Sequence, residues 1–297
     1  MQEISKNPTV AFTKNSDRAI PFSDSEFVLF RNLIHEKAGI YIGSVKKIRL
    51  AWILQQRLQE KKLATFEDYF NYVQRKGAEE LQYLIEIICT HETRFFREPR
   101  QLEYFQNEVL LPYCAENAVP GVPIRIWSAG CSSGEEPFTL AMILLSTLSS
   151  EYGRTAEVLA TDISGKILDQ ARSATWPIQR SENIPERYLK AYMLRGNSGK
   201  HEKEMRAGPE LRRMIHFQQV NLQDFRYPVV GPFDFIFCRN VLIYFQPENK
   251  ERVVAQLSKH LRPGGYLFLG HAEAFHNNPT LTKCPIPATF RFSGDKT

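Results

Sequence analysis

The segment from Ile124 to Met142, IRIWSAGCSSGEEPFTLAM, carries the residues best suited to holding a ligand. An apolar run leads into a loop of small residues and then into a helix with Pro137 in its first turn, so a ligand can approach the backbone closely. Glu135 and Glu136 occupy the helix N-terminus, which phosphate-binding loops leave free for an anion. The spacing also matches neither GxGxxG nor GxxxxGK[ST]. The pattern therefore favours a cationic nucleoside without phosphate, such as S-adenosylmethionine.

A second acidic position supports this interpretation. Asp162 follows the apolar run Val158–Thr161, and an acid at the end of a second strand is where such folds hold ribose hydroxyls. The alternative is that Glu135 and Glu136 only complement the helix dipole and that Asp162 only caps a helix. The residues alone leave both interpretations open.

The run FDFIFCRNVLIYF places polar residues just after a strand that is apolar except for Asp234. Arg239, Asn240 and Tyr244 would lie at the same edge of the predicted sheet as Asp162. They could instead satisfy backbone groups at the end of the strand.

The elements that position these residues are predicted by periodicity. Four short apolar runs, VPIRIWSAG, AEVLATD, FDFIFC and GYLFLG, alternate with helical stretches at 136–149, 164–172 and 248–260, which is typical of a parallel doubly wound α/β sheet. The polar segment 178–217 interrupts this alternation as an inserted subdomain. We expect residues 119–297 to form this domain.

The preceding residues predict a smaller, all-helical domain over 21–89. Ser23 and Glu26 fit a capping box, Gly39 fits a helix end, a second helix is expected over about 46–62, and Thr65 begins a third. A fourth helix carries Leu81 to Ile88. Residues 1–20 are expected to be a flexible tail, and residues 90–118 a linker with a connecting helix.

Bulk properties exclude several classes of function. The 297 residues contain five scattered cysteines and seven scattered histidines, with no paired spacing, so we expect no metal site. A net charge of +5 is too small for a dedicated nucleic-acid binder. No run approaches the length of a membrane span and no signal peptide is evident, so we expect a cytoplasmic protein without membrane insertion.

Five motifs, taken together, resemble the CheR family of chemotaxis receptor glutamate methyltransferases. They are THETRFFRE at 90–98, WSAGCSSGEEPFTLAM, ATDIS, QVNLQDF and FCRNVLIYF, in the order and spacing of that family. The resemblance implies a class I S-adenosylmethionine-dependent methyltransferase domain with a Rossmann-like sheet, a small inserted β-subdomain and a helical N-terminal domain. It further implies that the cofactor is lined by His91, Thr93, Arg97, Ala129, Glu135, Asp162, Asn221, Leu222, Arg239 and Asn240.

The resemblance also implies a reaction and a partner. A methyl group would pass to receptor glutamate side chains, with S-adenosylhomocysteine as the other product, and Arg97 and Tyr244 are our candidates for orienting the acceptor. Because Lys46, Arg57 and Lys61 fall in one ~60° sector of an ideal helix, they and the inserted subdomain are the expected contacts with the cytoplasmic region of the receptor. Two alternatives are a nucleic-acid methyltransferase, disfavoured by CRNV where NPPY is usual, and a non-catalytic regulator that binds S-adenosylmethionine.

Overall fold

The computed structural model describes residues 20–89, 92–116, 122–148, 155–273, 275 and 278–294. The predicted tail, apart from residue 20, lies outside the described residues. Two regions follow, one helical and one built on a mixed sheet, joined by a linker and a long connecting helix.

Four helices form the first region: α1 Asp24–Ala38, α2 Lys47–Lys61, α3 Phe66–Lys76 and α4 Ala78–Ile88. The predicted capping box is confirmed, since Ser23 and Glu26 bond reciprocally, and Gly39 ends α1 with a left-handed φ of 71°. Thr65 caps α3 by accepting from the backbone N–H of Asp68. The apolar faces of the four helices enclose one core that contains Phe30, Leu54 and Tyr69.

The connecting helix spans Pro99–Glu116 and includes a π-helical stretch at Phe105–Leu110 between α5 Pro99–Tyr104 and α6 Leu111–Glu116. Phe105 packs edge-on against three phenylalanines of the sheet, Phe235, Phe237 and Phe268, at ring-centroid distances of 5.1, 5.1 and 5.4 Å. These contacts fix the linker, which immediately precedes the helix, against the sheet.

The second region is built on a seven-stranded sheet. In chain order, its strands are β1 Ile124–Ala129, β2 Ala156–Asp162, β6 Ile215–Gln219, β7 Phe233–Cys238, β8 Leu261–Leu269, β9 Leu281–Lys283 and β10 Thr289–Phe292. The spatial order is β6-β2-β1-β7-β8-β10-β9. The five neighbouring strands β6, β2, β1, β7 and β8 pair in parallel. The strand β10 is antiparallel to both of its neighbours, β8 and β9. Helices α7 Glu135–Thr147, α8 Gly165–Ser173 and α11 Pro247–Ser258 connect the parallel strands.

This arrangement confirms the predicted doubly wound α/β fold, and β7, which is apolar except for Asp234, is buried along its whole length. The chain leaves β1 toward one side of the sheet and leaves β7 toward the other, so the strand order reverses between them. In open α/β sheets, ligands bind in the crevice at the carboxyl ends of strands at such a switch point.

A small three-stranded antiparallel sheet forms the insertion. It consists of β3 Thr175–Pro177, β4 Met193–Arg195 and β5 Glu204–Ala207 in the order β3-β5-β4, with α9 Glu186–Tyr192 and α10 Pro209–Met214 beside it. The small sheet starts three residues before the predicted range 178–217, and residues 215–217 belong instead to β6 of the main sheet. The strand β6 carries His and Gln residues at the sheet edge, so it lacks the apolar run by which β1, β2, β7 and β8 were predicted.

Candidate active site

A cavity lies at the switch point, between the carboxyl edge of the sheet, the linker and the end of α1. The volume of the cavity is about 900 Å³, which includes space that is open to solvent. The cavity wall includes eight residues that the sequence analysis selected: Thr93, Arg97, Asp162, Asn221, Leu222, Arg239, Asn240 and Tyr244. Residues from four separated segments thus meet at one site.

The loop after β1 forms one side of the cavity through its backbone. Gly130 has a φ of 82°, and a Cβ atom there would lie 2.3 Å from Cγ2 of Val241. The backbone N–H groups of Gly130 and Cys131 both donate to the carbonyl of Thr161, at 2.7 and 2.8 Å. Glycine is therefore required for the close approach of the two loops that border the cavity.

Asp162 is held in a fixed orientation on the cavity wall. One carboxylate oxygen accepts from the backbone N–H of Ser132 at 2.9 Å, and the other from that of Ser164 at 3.0 Å. The interpretation of Asp162 as a helix cap is wrong, because Ser164 is the N-cap of α8 and accepts from the N–H of Ile167. The position at the end of β2 is the one that suits recognition of ribose hydroxyls.

The two glutamates at the start of α7 have different surroundings. Glu136 lines the cavity and accepts from Ser128 Oγ and from Arg239 Nε, both at 2.7 Å. Glu135 is 1% exposed and does not line the cavity wall. Its Oε2 accepts from Ser133 Oγ, whereas its Oε1 is buried with no hydrogen-bond partner among the described groups. Burial raises the pKa of Glu135.

Arg239 connects the sheet to the linker. Besides bonding Glu136, its Nη1 donates to the carbonyl of Arg97 at 2.9 Å and to Gln101 Oε1 at 3.2 Å. This linker turn contains two non-glycine residues with positive φ, Phe96 at 50° and Glu98 at 57°. The buried guanidinium therefore holds a strained turn that brings Arg97 to the cavity wall.

The helical region closes another side of the cavity, which the sequence analysis did not predict. Ala38 and Ile40 line the wall, Asn221 Nδ2 donates to the carbonyl of Lys37 at 2.7 Å, and the N–H of Tyr41 donates to the carbonyl of Tyr244 at 2.7 Å. No local pattern marks Ala38 or Ile40, because only the packing of the two regions brings them to the site.

Some of the selected residues lie elsewhere. His91 is outside the described residues, and Ala129 is buried in β1 rather than on the cavity wall. Of the expected receptor contacts, Arg57 Nε and Lys61 Nζ lie 2.6 and 3.2 Å from the buried carboxylate of Glu80, while Lys46 lies over the ring of Tyr244. The sector that Arg57 and Lys61 share faces α4, so helical spacing did not identify a solvent face.

The site can be tested against the predicted cofactor. S-adenosylmethionine carries an ammonium and a sulfonium group. Glu135 is next in the chain to the wall residue Glu136, and its buried oxygen without a hydrogen-bond partner among the described groups is an acceptor that a cation would satisfy, although its side chain does not itself line the cavity. Asp162 supplies a fixed carboxylate for hydroxyl groups, and Gly130 leaves room at the backbone. The residues present therefore fit this cofactor.

Comparison with known proteins identifies the family and its cofactor. The family description "CheR methyltransferase, SAM binding domain" matches residues 91–289, and "CheR methyltransferase, all-alpha domain" matches residues 25–89. A chemotaxis protein methyltransferase of Borreliella burgdorferi is 34% identical over 87% of this chain and 91% of the relative. One of Escherichia coli is 35% identical over 86% of each chain. A solved magnesium protoporphyrin IX methyltransferase from Synechocystis with bound SAH covers 68% of each chain at 19% identity and a TM-score of 0.32, too low to support any argument.

No helix in the described ranges is long and apolar enough to cross a membrane.

Proposed function

The chain belongs to the CheR methyltransferase family and binds S-adenosylmethionine, and from that premise we propose that it methylates glutamate side chains of chemotaxis receptors. The observation that carries the proposal is that Arg97 and Tyr244 lie on the same cavity wall as Asp162. The two residues proposed to orient an acceptor thus lie beside the residue proposed to hold the cofactor.

A glutamate acceptor needs little help from proton transfer. Its carboxylate is already ionised at neutral pH, so no general base is required. S-adenosylmethionine supplies a methyl group on a positively charged sulfur. The protein must hold the acceptor in line with that methyl and replace the water around the carboxylate with fixed donors. We propose Arg97 and Tyr244 as those donors.

The route for the acceptor is suggested by a second cavity of about 480 Å³. It shares Ile40, Cys89 and Tyr244 with the cofactor cavity, and it is otherwise lined by apolar residues together with Lys46 and Arg49. Burial raises the pKa of Cys89 to about 12, so this thiol stays protonated at neutral pH. The second cavity therefore offers a glutamate side chain an apolar path with cationic residues on its wall.

The surface of α2 and the turn before it offers a docking site beside this cavity. Val45, Ile48 and Trp52 are exposed to 94, 84 and 57%, and their spacing places them near one another along the same helical surface. We propose that an acidic, amphipathic receptor helix packs on these apolar side chains, with Lys46 and Arg49 toward its carboxylates. This proposed site keeps Lys46 from the receptor contacts predicted from the sequence and omits Arg57 and Lys61, which pair with Glu80.

The chemistry is tested with wild-type protein, tritiated S-adenosylmethionine and receptor-containing membranes. We expect label on a receptor-sized band, released as methanol by alkali because carboxyl esters are base-labile. Cofactor binding without label would contradict the proposal and favour the regulatory alternative.

Arg97 provides the sharper test of mechanism. Arg97→Ala should lower kcat by roughly 10²- to 10³-fold, the typical effect of removing one donor that acts on the reacting group. Tyr244→Phe should lower it less, because the ring still shapes the cavity. Arg100→Ala is the matched control, since Arg100 is an exposed arginine of the same segment and does not line the cavity. Near-normal turnover of Arg97→Ala would remove Arg97 from the mechanism.

The docking proposal has a separate signature. Ile48→Ala with Trp52→Ala should raise KM for receptor membranes severalfold, because apolar contact area is lost, while kcat and the affinity for S-adenosylhomocysteine stay the same. The double variant Arg57→Ala, Lys61→Ala is the comparison for the earlier docking prediction. A larger increase in KM from that variant, at unchanged thermal stability, would restore the earlier site.

A further inference from the structure

The loop after β7, which carries Asn240 and Tyr244, is held in place by a carboxylate from another segment. Glu273 follows β8 and is 3% exposed. Its Oε2 accepts from the backbone N–H groups of Gly270 at 2.6 Å and Asn240 at 3.0 Å, and its Oε1 accepts from that of Ile243 at 3.3 Å. One side chain thus bonds the backbone of both loops.

The surroundings of Glu273 make this arrangement costly. Among the residues that the structure describes, no Lys, Arg or His side chain lies within ion-pairing distance of Glu273. Burial raises the pKa of this carboxyl, and the backbone N–H donors only partly offset the effect. A buried carboxylate without a cation normally lowers stability. Glu273 is therefore expected to contribute by holding the backbone of these loops in place and not by stabilising the fold.

The backbone that Glu273 holds is strained and closely packed. Asn240 is a non-glycine residue with a φ of 62°. A Cβ atom on Gly270 would lie 2.8 Å from both the backbone nitrogen and Nδ2 of Asn240. The turn Leu242–Tyr244 follows directly. Without the carboxylate, the N–H groups of Asn240 and Ile243 would lose their acceptor, and the strained conformation would lose one restraint.

We propose that Glu273 is a positioning residue that holds the loop 239–244 in the conformation in which Asn240 and Tyr244 reach the cavity. Glu273 does not line the cavity wall itself. The proposal rests on the cofactor site and on the proposed role of Tyr244, but its test needs only the cofactor site.

The control is a buried carboxylate at the other end of β7, the strand that the loop 239–244 follows. Asp234 in β7 is 1% exposed, accepts from the backbone N–H of Arg125 at 2.7 Å, and bonds Tyr113 and Arg262. It is as deeply buried as Glu273 but lies away from the cavity. Asp234→Asn therefore reports the cost of altering a buried carboxylate of the sheet region away from the cavity, a cost that includes weakening its ion pair with Arg262.

The experiment measures the affinity for S-adenosylhomocysteine by calorimetry and the unfolding midpoint of the same samples. Glu273→Gln should raise Kd roughly tenfold, because an amide N–H replaces one acceptor and faces a backbone N–H. Asp234→Asn should lower the midpoint and leave Kd within about twofold. Glu273→Ala should raise Kd further, but Glu273→Gln decides the matter if the alanine variant does not fold.

Turnover gives a second readout. Glu273→Gln should raise KM for S-adenosylmethionine and lower kcat together, because Asn240 and Tyr244 lie on one loop. A loss of stability in Glu273→Gln equal to that of Asp234→Asn, with an unchanged Kd, would overturn the proposal. If wild-type protein labels no receptor, the calorimetric arm still tests Glu273, so the two failures are distinguishable.

Discussion

The helical region and the sheet region each bury a glutamate, with opposite surroundings. In the helical region, Glu80 is 4% exposed and accepts from Arg57 at 2.6 and 2.9 Å, from Tyr69 at 2.8 Å and from Lys61 at 3.2 Å. At the start of α7, Glu135 is 1% exposed, and one of its oxygens has no hydrogen-bond partner among the described groups. The first carboxylate is satisfied by its own domain, and the second is not.

The difference shows which polar cluster is structural. A buried carboxylate that collects two cations and a hydroxyl has its desolvation offset within the fold. A buried carboxylate with a raised pKa and an unpartnered oxygen, beside a cavity, has the properties of a ligand site. Positive φ at non-glycine residues separates the two regions less sharply. Phe96, Ser132 and Asn240 lie in the linker and loops at the cavity, whereas Lys62, Ala174 and Ala288 lie elsewhere.

The largest expected effect is the loss of stability on replacing Glu80. Glu80→Gln should lower the free energy of unfolding by about 3–5 kcal/mol, because Arg57 and Lys61 would lose a buried counter-charge. Chemical denaturation checks this. Affinity for S-adenosylhomocysteine should stay within about twofold of wild type. Glu79→Gln, at an exposed neighbouring position, is the control and should change neither quantity. A tenfold loss of affinity in Glu80→Gln would contradict the separation of the two clusters.

The opposite result is expected for Glu135. We propose that a cationic group of the ligand reaches the unpartnered oxygen of Glu135, which does not line the cavity in this structure. On that proposal Glu135→Gln should weaken binding of S-adenosylhomocysteine by roughly 10- to 100-fold, the effect of losing a charge-assisted hydrogen bond. Its free energy of unfolding should not fall, because the substitution removes a buried charge with an unpartnered oxygen.

Calorimetry and denaturation of the same samples provide the check for Glu135, with Glu80→Gln as the matched buried carboxylate. Lower stability of Glu135→Gln with unchanged affinity would make Glu135 a structural residue like Glu80.

The sequence predicted the elements better than it predicted their partners. The capping box at Ser23, the glycine end of α1 and the four apolar strands are local patterns, and each is present. The strands β9 and β10 were missed because they are only three and four residues long and lie at the far edge of the sheet. Partners depend on tertiary packing, so neither Glu80 as the partner of Arg57 nor Glu273 as the support of Asn240 could be read from spacing.

The smallest expected effect is the pH dependence of the free energy of unfolding, whose sign differs between Glu80 and Glu135. Although burial opposes ionisation, hydrogen bonds from Arg57, Tyr69 and Lys61 lower the pKa of Glu80. Glu80 therefore contributes stability above the unfolded-state pKa of about 4.3, and this contribution is lost as the pH falls through the lower folded pKa. For Glu135, burial raises the pKa, so its contribution is fully present below about pH 4.3 and is lost as the pH rises through the folded pKa.

Difference curves test these signs. The free energy of unfolding of wild type minus Glu80→Gln should shrink toward acid below about pH 4, whereas wild type minus Glu135→Gln should grow as the pH falls from neutrality toward about 4. Urea denaturation at a series of pH values measures both. Protonation of Glu80 at low pH should lower the free energy of unfolding by less than the substitution Glu80→Gln does, because the protonated carboxyl still accepts from Arg57 and Lys61. Two curves of the same sign would mean that Glu135 is paired in solution, and the contrast between the two regions would then be lost.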